Sequence, residues 1–407
     1  MKTYRLRAWE YIVTIVMLYT AGTPVSSYYH KTMICGVFLL ALFCITLKNG
    51  IKKSLLIVLV ITAILMVFTQ VINLDTNLFT LISILMLFVA AILFVNTIHE
   101  KDFIEALINV MIIISVISIV MYFIGIIRPD FARRLPVFHG LVPYNTFCGL
   151  FFFPTGIEIS DSVLRRNQGI YREMGVFANN IVWVLALGLK QEKKMELYKI
   201  IILVIALCTT FSTSGIISFI CLLPLLIEQI SKKRTAKRYI IYIISMMSGA
   251  FFLLRYSDII FSKLFKSSGD YGSFAIRFNG TIRDIYIFLN NLWGAGITNY
   301  EETTVGTANT ITYVLAVYGM GLAVLVFWGF FSCFWNRGKS IGNNLCREIA
   351  VFVVLLTQNS FAFPLFFVLV MYGYVKRCVK ETGIMERGCV MDESSNCKLG
   401  KQNLQHG

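Results

Sequence analysis

The sequence predicts an all-α polytopic membrane protein, with about twelve transmembrane helices and two large external loops. Three observations predict it. Of the 407 residues, 57% are apolar and only 14% are charged, and the mean hydropathy is +0.73; a soluble domain carries about a quarter charged residues. A core cannot absorb this much apolar surface, so lipid must be the solvent. The apolar residues are gathered into runs near span length, and Lys and Arg collect in alternate short turns between them. The net charge of +15 would point to nucleic acid in a soluble protein. Here it reads as topology bias, and no nucleic-acid partner is expected.

The runs place spans at about 9–28, 32–47, 54–72, 78–98, 104–127, 174–190, 198–211, 215–231, 239–255, 309–335, 347–359 and 362–376. Several are shorter than the roughly 20 residues a perpendicular helix needs. The pairs 198–211/215–231 and 347–359/362–376 are therefore open to being single broken or re-entrant elements. Residues 1–383 make one transmembrane bundle, and 384–407 form a polar cytoplasmic tail of disordered composition. The N-terminus, basic from Met1 to Arg7 and ending its apolar run at Ala21-Gly22-Thr23, is like a signal peptide. An uncleaved first helix is the preferred reading.

Orientation follows from the short turns. Lys2, Arg5 and Arg7 put the N-terminus in the cytoplasm, and Lys48, Lys52, Lys53, Lys190, Lys193, Lys194, Lys232, Lys233, Arg234, Arg337, Lys339 and Lys376 fall on the same side. The turns at 73–77 and 213–215 carry no Lys or Arg. Twelve spans with both termini cytoplasmic satisfy every short loop. Two long segments then fall outside, about 128–173 and 256–308. Loops of that length are usually functional or disordered.

The first loop ends in Arg165-Arg166-Asn167-Gln168-Gly169-Ile170-Tyr171-Arg172-Glu173 at the mouth of the next span. Arginine near lipid is costly, and an anionic partner is a reason to keep it, because guanidinium pairs bidentately with phosphate. The competing reading is a solvated basic loop edge. The second loop contains Arg277 and Arg283 on a stretch whose apolar residues suggest a short amphipathic helix at the interface. It ends in Gly294-Ala295-Gly296, a turn that lets the backbone approach something closely. A helix that merely covers the bundle explains the apolar stripe but not the two arginines. Ser212-Thr213-Ser214-Gly215 breaks two apolar runs; such a break lines a cavity or is a plain turn.

Absences narrow the chemistry. No Walker A loop and no Asp-x-Asp occurs, and Glu301-Glu302 is the single adjacent pair of external carboxylates. Clustered oxygen ligands for a divalent metal are therefore not expected, nor is an ATP site. Of ten cysteines only Cys148 falls in an external loop, so neither a disulfide framework nor a zinc site is read. Ionisable residues are nearly absent from the spans, which argues against a proton-coupled carrier.

Four stretches, in order, resemble the bacterial O-antigen polymerase and ligase superfamily over about the last two thirds of the chain. They are Arg166 to Ala178; Phe211-Ser212-Thr213-Ser214-Gly215-Ile216; Arg277 to Gly296, with ten residues between Arg283 and Gly294; and Asn309 to Leu315 leading to Tyr318-Gly319-Met320-Gly321. The resemblance implies a metal-independent C-type glycosyltransferase without cofactor, acting on a polyprenyl-pyrophosphate-linked oligosaccharide at the outer face of the bacterial cytoplasmic (inner) membrane. A chain-length regulator is an implied partner beside membrane lipid. Arg166, Arg172, Glu173, Arg277 and Arg283 become the expected catalytic residues, with Glu173 as the candidate base. Ser212, Ser214, Gly294, Gly296 and Asn309 become the expected substrate-binding residues. The ligase branch carries a His before the last large span, where this chain reads Thr307-Ala308-Asn309. That difference favours a repeat-unit polymerase for O-antigen, capsule or exopolysaccharide. The alternatives are a ligase and, from another class, a lipid-linked oligosaccharide flippase, which should show shorter outer loops and a charged central cavity.

Overall fold

The computed structural model describes residues 2–47, 50–140, 142–154, 166–230, 271–303 and 309–375. The expected span at 239–255, the basic turn at 232–238, Arg165 and the tail at 384–407 lie outside the described residues. Helix dominates. In chain order the helices are α1 (Lys2–Tyr19), α2 (Pro24–Tyr28), α3 (His30–Leu47), α4 (Lys53–Ile72), α5 (Leu78–Thr97), α6 (Glu100–Ile127) and α7 (Pro129–Arg134). The later helices are α8 (Met174–Lys190), α9 (Leu197–Thr209), α10 (Thr213–Ile230), α11 (Tyr271–Asn290), α12 (Ile297–Thr303), α13 (Thr310–Phe334), α14 (Ile341–Leu355) and α15 (Pro364–Val375).

Among the described residues, α4, α5, α6 and α13 are long and apolar enough to cross a membrane, with windows of mean hydropathy from 2.2 to 3.0. Shorter apolar stretches make up much of α1, α3, α8, α9, α10 and α15. The bounds follow the hydropathy reading closely, and α8 coincides with it. The first expected span stops early: the chain turns at Thr20–Thr23, and Thr23 caps a separate α2 by accepting a bond from the Ser26 amide at 3.1 Å, with Pro24 in its first turn. Each pair read as possibly one broken element is two helices, α9 and α10 joined at 210–212, α14 and α15 joined at 356–363.

α8 lies at the centre. Apart from Asn179 and Asn180 it is apolar up to its terminal Lys190, and it is buried from Gly175 to Lys190. α6, α9, α10 and α14 pack around it. The turns near Gly50, Lys190, Asn336 and Ser340 share one end of the bundle. There Lys190 pairs with Glu100 and donates to the Cys333 carbonyl, Asn96 donates to the Gly50 carbonyl at 2.7 Å, and Asn343 donates to Glu228 at 2.7 Å. The described parts of both long loops gather at the opposite end, with the turns at 73–77, 210–212 and 356–363.

The fold is not purely helical. Within the first long loop, β1 (Val137–His139), β2 (Pro143–Phe147) and β3 (Phe151–Pro154) form an antiparallel sheet in that order, with Phe138 opposite Tyr144 and Thr146 opposite Phe152. Aromatic residues suit a half-buried pleated surface; Phe152 meets both Phe138 and Tyr144 edge-on. The turn between β2 and β3 puts Cys148 and Gly149 in left-handed conformation, φ 51° and 71°.

The second long loop also differs from expectation. Its amphipathic helix is not short: α11 runs 20 residues. Past its C-terminal end the backbone makes a close crossing with α13. α13 breaks at Gly319, φ 77°, and Gly294 approaches it with φ 92°. A Cβ on Gly294 would lie 2.5 Å from the Val317 carbonyl oxygen, and one on Gly319 would lie 2.3 Å from the Trp293 carbonyl carbon, so both positions require glycine. The Ala295 and Gly296 amides donate to the carbonyls of Ala316 and Val317 at 2.8 and 3.1 Å, and the Met320 amide donates to Leu292 at 3.0 Å. The Ala316 and Val317 carbonyls and the Met320 amide, freed by the break in α13, are thereby satisfied.

Candidate functional site

Three charged side chains from the two long loops meet at the end of the bundle where those loops gather. Glu173 is the residue before α8, in extended conformation and making no side-chain cap bond. A carboxylate there is favoured by the positive end of the helix dipole. Its Oε1 lies 3.3 Å from Arg172, and its Oε2 lies 3.5 Å from Arg277 on α11, 104 residues away in sequence. All three side chains are partly exposed, so each pair holds by only about 0–1 kcal/mol.

The loop carrying Arg172 is fixed from several directions. The Arg172 amide donates to the Gly22 carbonyl at 3.0 Å, and Gln168 donates to the Phe152 carbonyl of β3 at 2.8 Å. Asn167, fully buried, accepts from the Gly169 amide at 3.0 Å and from Ser118 of α6 at 2.5 Å, and donates to Thr209 at 3.0 Å. Arg172 and Glu173 line a cavity of about 260 Å³ with Pro24, Ser27, Val142 and Tyr144. Burial pushes the Tyr144 phenol up, opposed by Arg172 and reinforced by Glu173. The site is thus a pair of guanidiniums and one carboxylate beside a solvated hollow, which suits a polyanionic group.

Arg283 is turned elsewhere. Six residues along a continuous helix rotate it about 120° from Arg277, and its charge acts on Asp284 and Tyr300. Arg166 is half-buried at the start of the anchored loop. Of the expected catalytic set, contacts among the described residues join Arg172, Glu173 and Arg277.

The expected substrate-binding residues meet their own chain. Ser212 and Ser214 are buried, with hydroxyls 3.1 Å apart, at the turn that starts α10. Asn309 is fully buried and caps α13 by accepting from the Thr312 amide at 2.9 Å; its amide donates to Thr281 at 3.0 Å. Gly294 and Gly296 make the crossing described above, and a Cβ on Gly296 would lie 2.9 Å from Asp75. The close approach expected of this Gly-x-Gly turn is an approach to α13 and to the 73–77 turn.

Two carboxylates organise this region without having stood out in the sequence. Asp284 on α11 has no exposed surface; it accepts from Tyr300 at 2.9 Å and Thr312 at 2.7 Å. Burial raises its carboxyl above the ordinary range, with those two hydrogen bonds and the charge of Arg283 opposing. Asp75 accepts from the amides of Ile297 and Thr298 and from the Thr298 hydroxyl, capping α12. Burial pushes its carboxyl up, but these bonds and one from the Asn77 amide together hold it below the ordinary value. Nothing local marked either one: Asp284 follows Arg283 on an amphipathic helix that also carries Arg277, and Asp75 sits in a short polar turn.

No protein-family model and no curated protein matches the chain.

Proposed function

We propose that the chain is a polysaccharide polymerase of the bacterial cytoplasmic membrane, joining oligosaccharide repeat units carried on polyprenyl pyrophosphate at the outer face, with both termini in the cytoplasm. The observation that carries this reading is the meeting of Arg172 and Arg277, from two loops far apart in sequence, on one carboxylate beside a cavity. In the reaction an acceptor sugar hydroxyl attacks the anomeric carbon of the donor glycan. The bond from that carbon to the diphosphate oxygen breaks, and polyprenyl diphosphate leaves with the electron pair. Glu173 takes the hydroxyl proton. The leaving diphosphate gains charge, and fixed guanidiniums stabilise that charge without a metal ion. The prenyl chain lies along the apolar surface of the bundle.

The resemblance in four ordered stretches supports the polymerase and ligase superfamily, Thr307-Ala308-Asn309 in place of a His favours a polymerase over a ligase, and partly exposed arginines outside the spans fit an enzyme better than a flippase. Deleting the gene and resolving the cell's polysaccharide on a gel tests it. Single-repeat products are expected. Full-length polymer lacking only its surface attachment would indicate a ligase, and lipid-linked units trapped inside would indicate a flippase.

A further inference from the structure

Glu173 stands where an anion would bind. One carboxylate occupies two arginines drawn from different loops, one oxygen toward each. Neither contact is short, and all three side chains keep more than a third of their surface exposed. The adjoining cavity of about 260 Å³ equals roughly nine liquid waters. A diphosphate has more charge and more acceptor oxygens than a carboxylate, and it engages guanidinium forks bidentately.

We propose that Glu173 is an internal stand-in for the diphosphate of the donor. Before the donor binds, it holds Arg172 and Arg277 in position and keeps their charges paired. The incoming diphosphate takes over both arginines and displaces Glu173, whose carboxylate is then free to receive the acceptor proton. Donor binding and readiness of the base become one event, so a lone acceptor meets no available base. The inference rests on the diphosphate-donor reading above.

The experiment is calorimetric titration of inorganic pyrophosphate into detergent-purified full-length protein, wild type against Glu173→Gln. Removing the internal competitor is expected to tighten pyrophosphate about tenfold. Adding Arg277→Ala to Glu173→Gln should abolish the gain. Glu173→Asp, which withdraws the carboxylate by one methylene, should shift affinity in the same direction and gives the answer if Glu173→Gln does not purify. Equal or weaker affinity in the variants, with wild type still binding, overturns the displacement and leaves the polymerase reading standing. No pyrophosphate binding by wild type or variants overturns both.

Discussion

Asp284→Ala is the substitution most exposed to refutation. The carboxylate has no accessible surface, and it accepts from Tyr300 at 2.9 Å and Thr312 at 2.7 Å. Alanine deprives both buried hydroxyls of this acceptor, and each such loss costs about 1–3 kcal/mol. The expected destabilisation is therefore about 2–6 kcal/mol, at the large end for a single substitution. Asp284→Asn keeps one acceptor oxygen and should cost less. The assay is unfolding of the detergent-purified protein followed by thermal melting and proteolysis. The sign with pH follows from the raised folded-state value. Relative to Asp284→Asn, the wild-type carboxyl adds stability that is fully present below its unfolded value, near 3.8, and is lost as pH rises through the raised folded value. A melting point for Asp284→Ala equal to wild type, or the same acid-range slope in wild type and Asp284→Asn, would refute the hydrogen-bonded buried carboxylate.

Arg172→Ala and Arg277→Ala should each lower polymer formation by about two to three powers of ten at matched expression, and Lys should rescue poorly because it lacks the planar fork; full-length polymer from both Ala variants would remove them from the site. Gly294→Ala should destabilise by about 2–5 kcal/mol, from left-handed strain and overpacking against Val317. Gly319→Ala should do the same, and the double variant should cost less than the sum because both break one crossing; additive melting shifts would argue against that. Reporter tags after Asn49, Lys194, Lys233 and Lys339 should register the cytoplasm, and tags within 135–165 and 260–275 the outer side. Cytoplasmic signals from the long loops would end the proposed chemistry.

Hydropathy made the helices readable, because a span must be apolar for most of its length and the signal accumulates over some 20 residues. α8 shows this best, since both its ends are marked by charge, at Glu173 and Lys190. The sheet at 137–154 was not readable in the same way. Its strands run three to five residues, too few to set an alternation against a background already rich in Phe and Tyr. At the site, Arg172 beside Glu173 was visible as a local cluster, but the partnership with Arg277 spans 104 residues and depends on the roll of α11. The same roll separates Arg283 from Arg277, although their spacing in sequence makes them look like a pair. Asp284 appeared as one more loop carboxylate; its role rests on Tyr300 and Thr312, 16 and 28 residues onward, which only the packing of α12 and α13 brings near.

The crossing of Gly294 with Gly319 bears on how the chain is made. A transmembrane segment interrupted along its length enters lipid with bare amides and carbonyls, and lipid offers them nothing. Synthesis runs from the N-terminus, so the turn segment at 292–296 is already outside the ribosome when the interrupted segment emerges. Each partner for Ala316, Val317 and Met320 is therefore synthesised before it is needed, and so is Asn73 on the α4–α5 turn, which in the folded chain donates to the Gly294 carbonyl at 2.9 Å. Chain order itself acts as the chaperone for the break, and moving the 292–296 segment behind α13 by circular permutation would take that protection away.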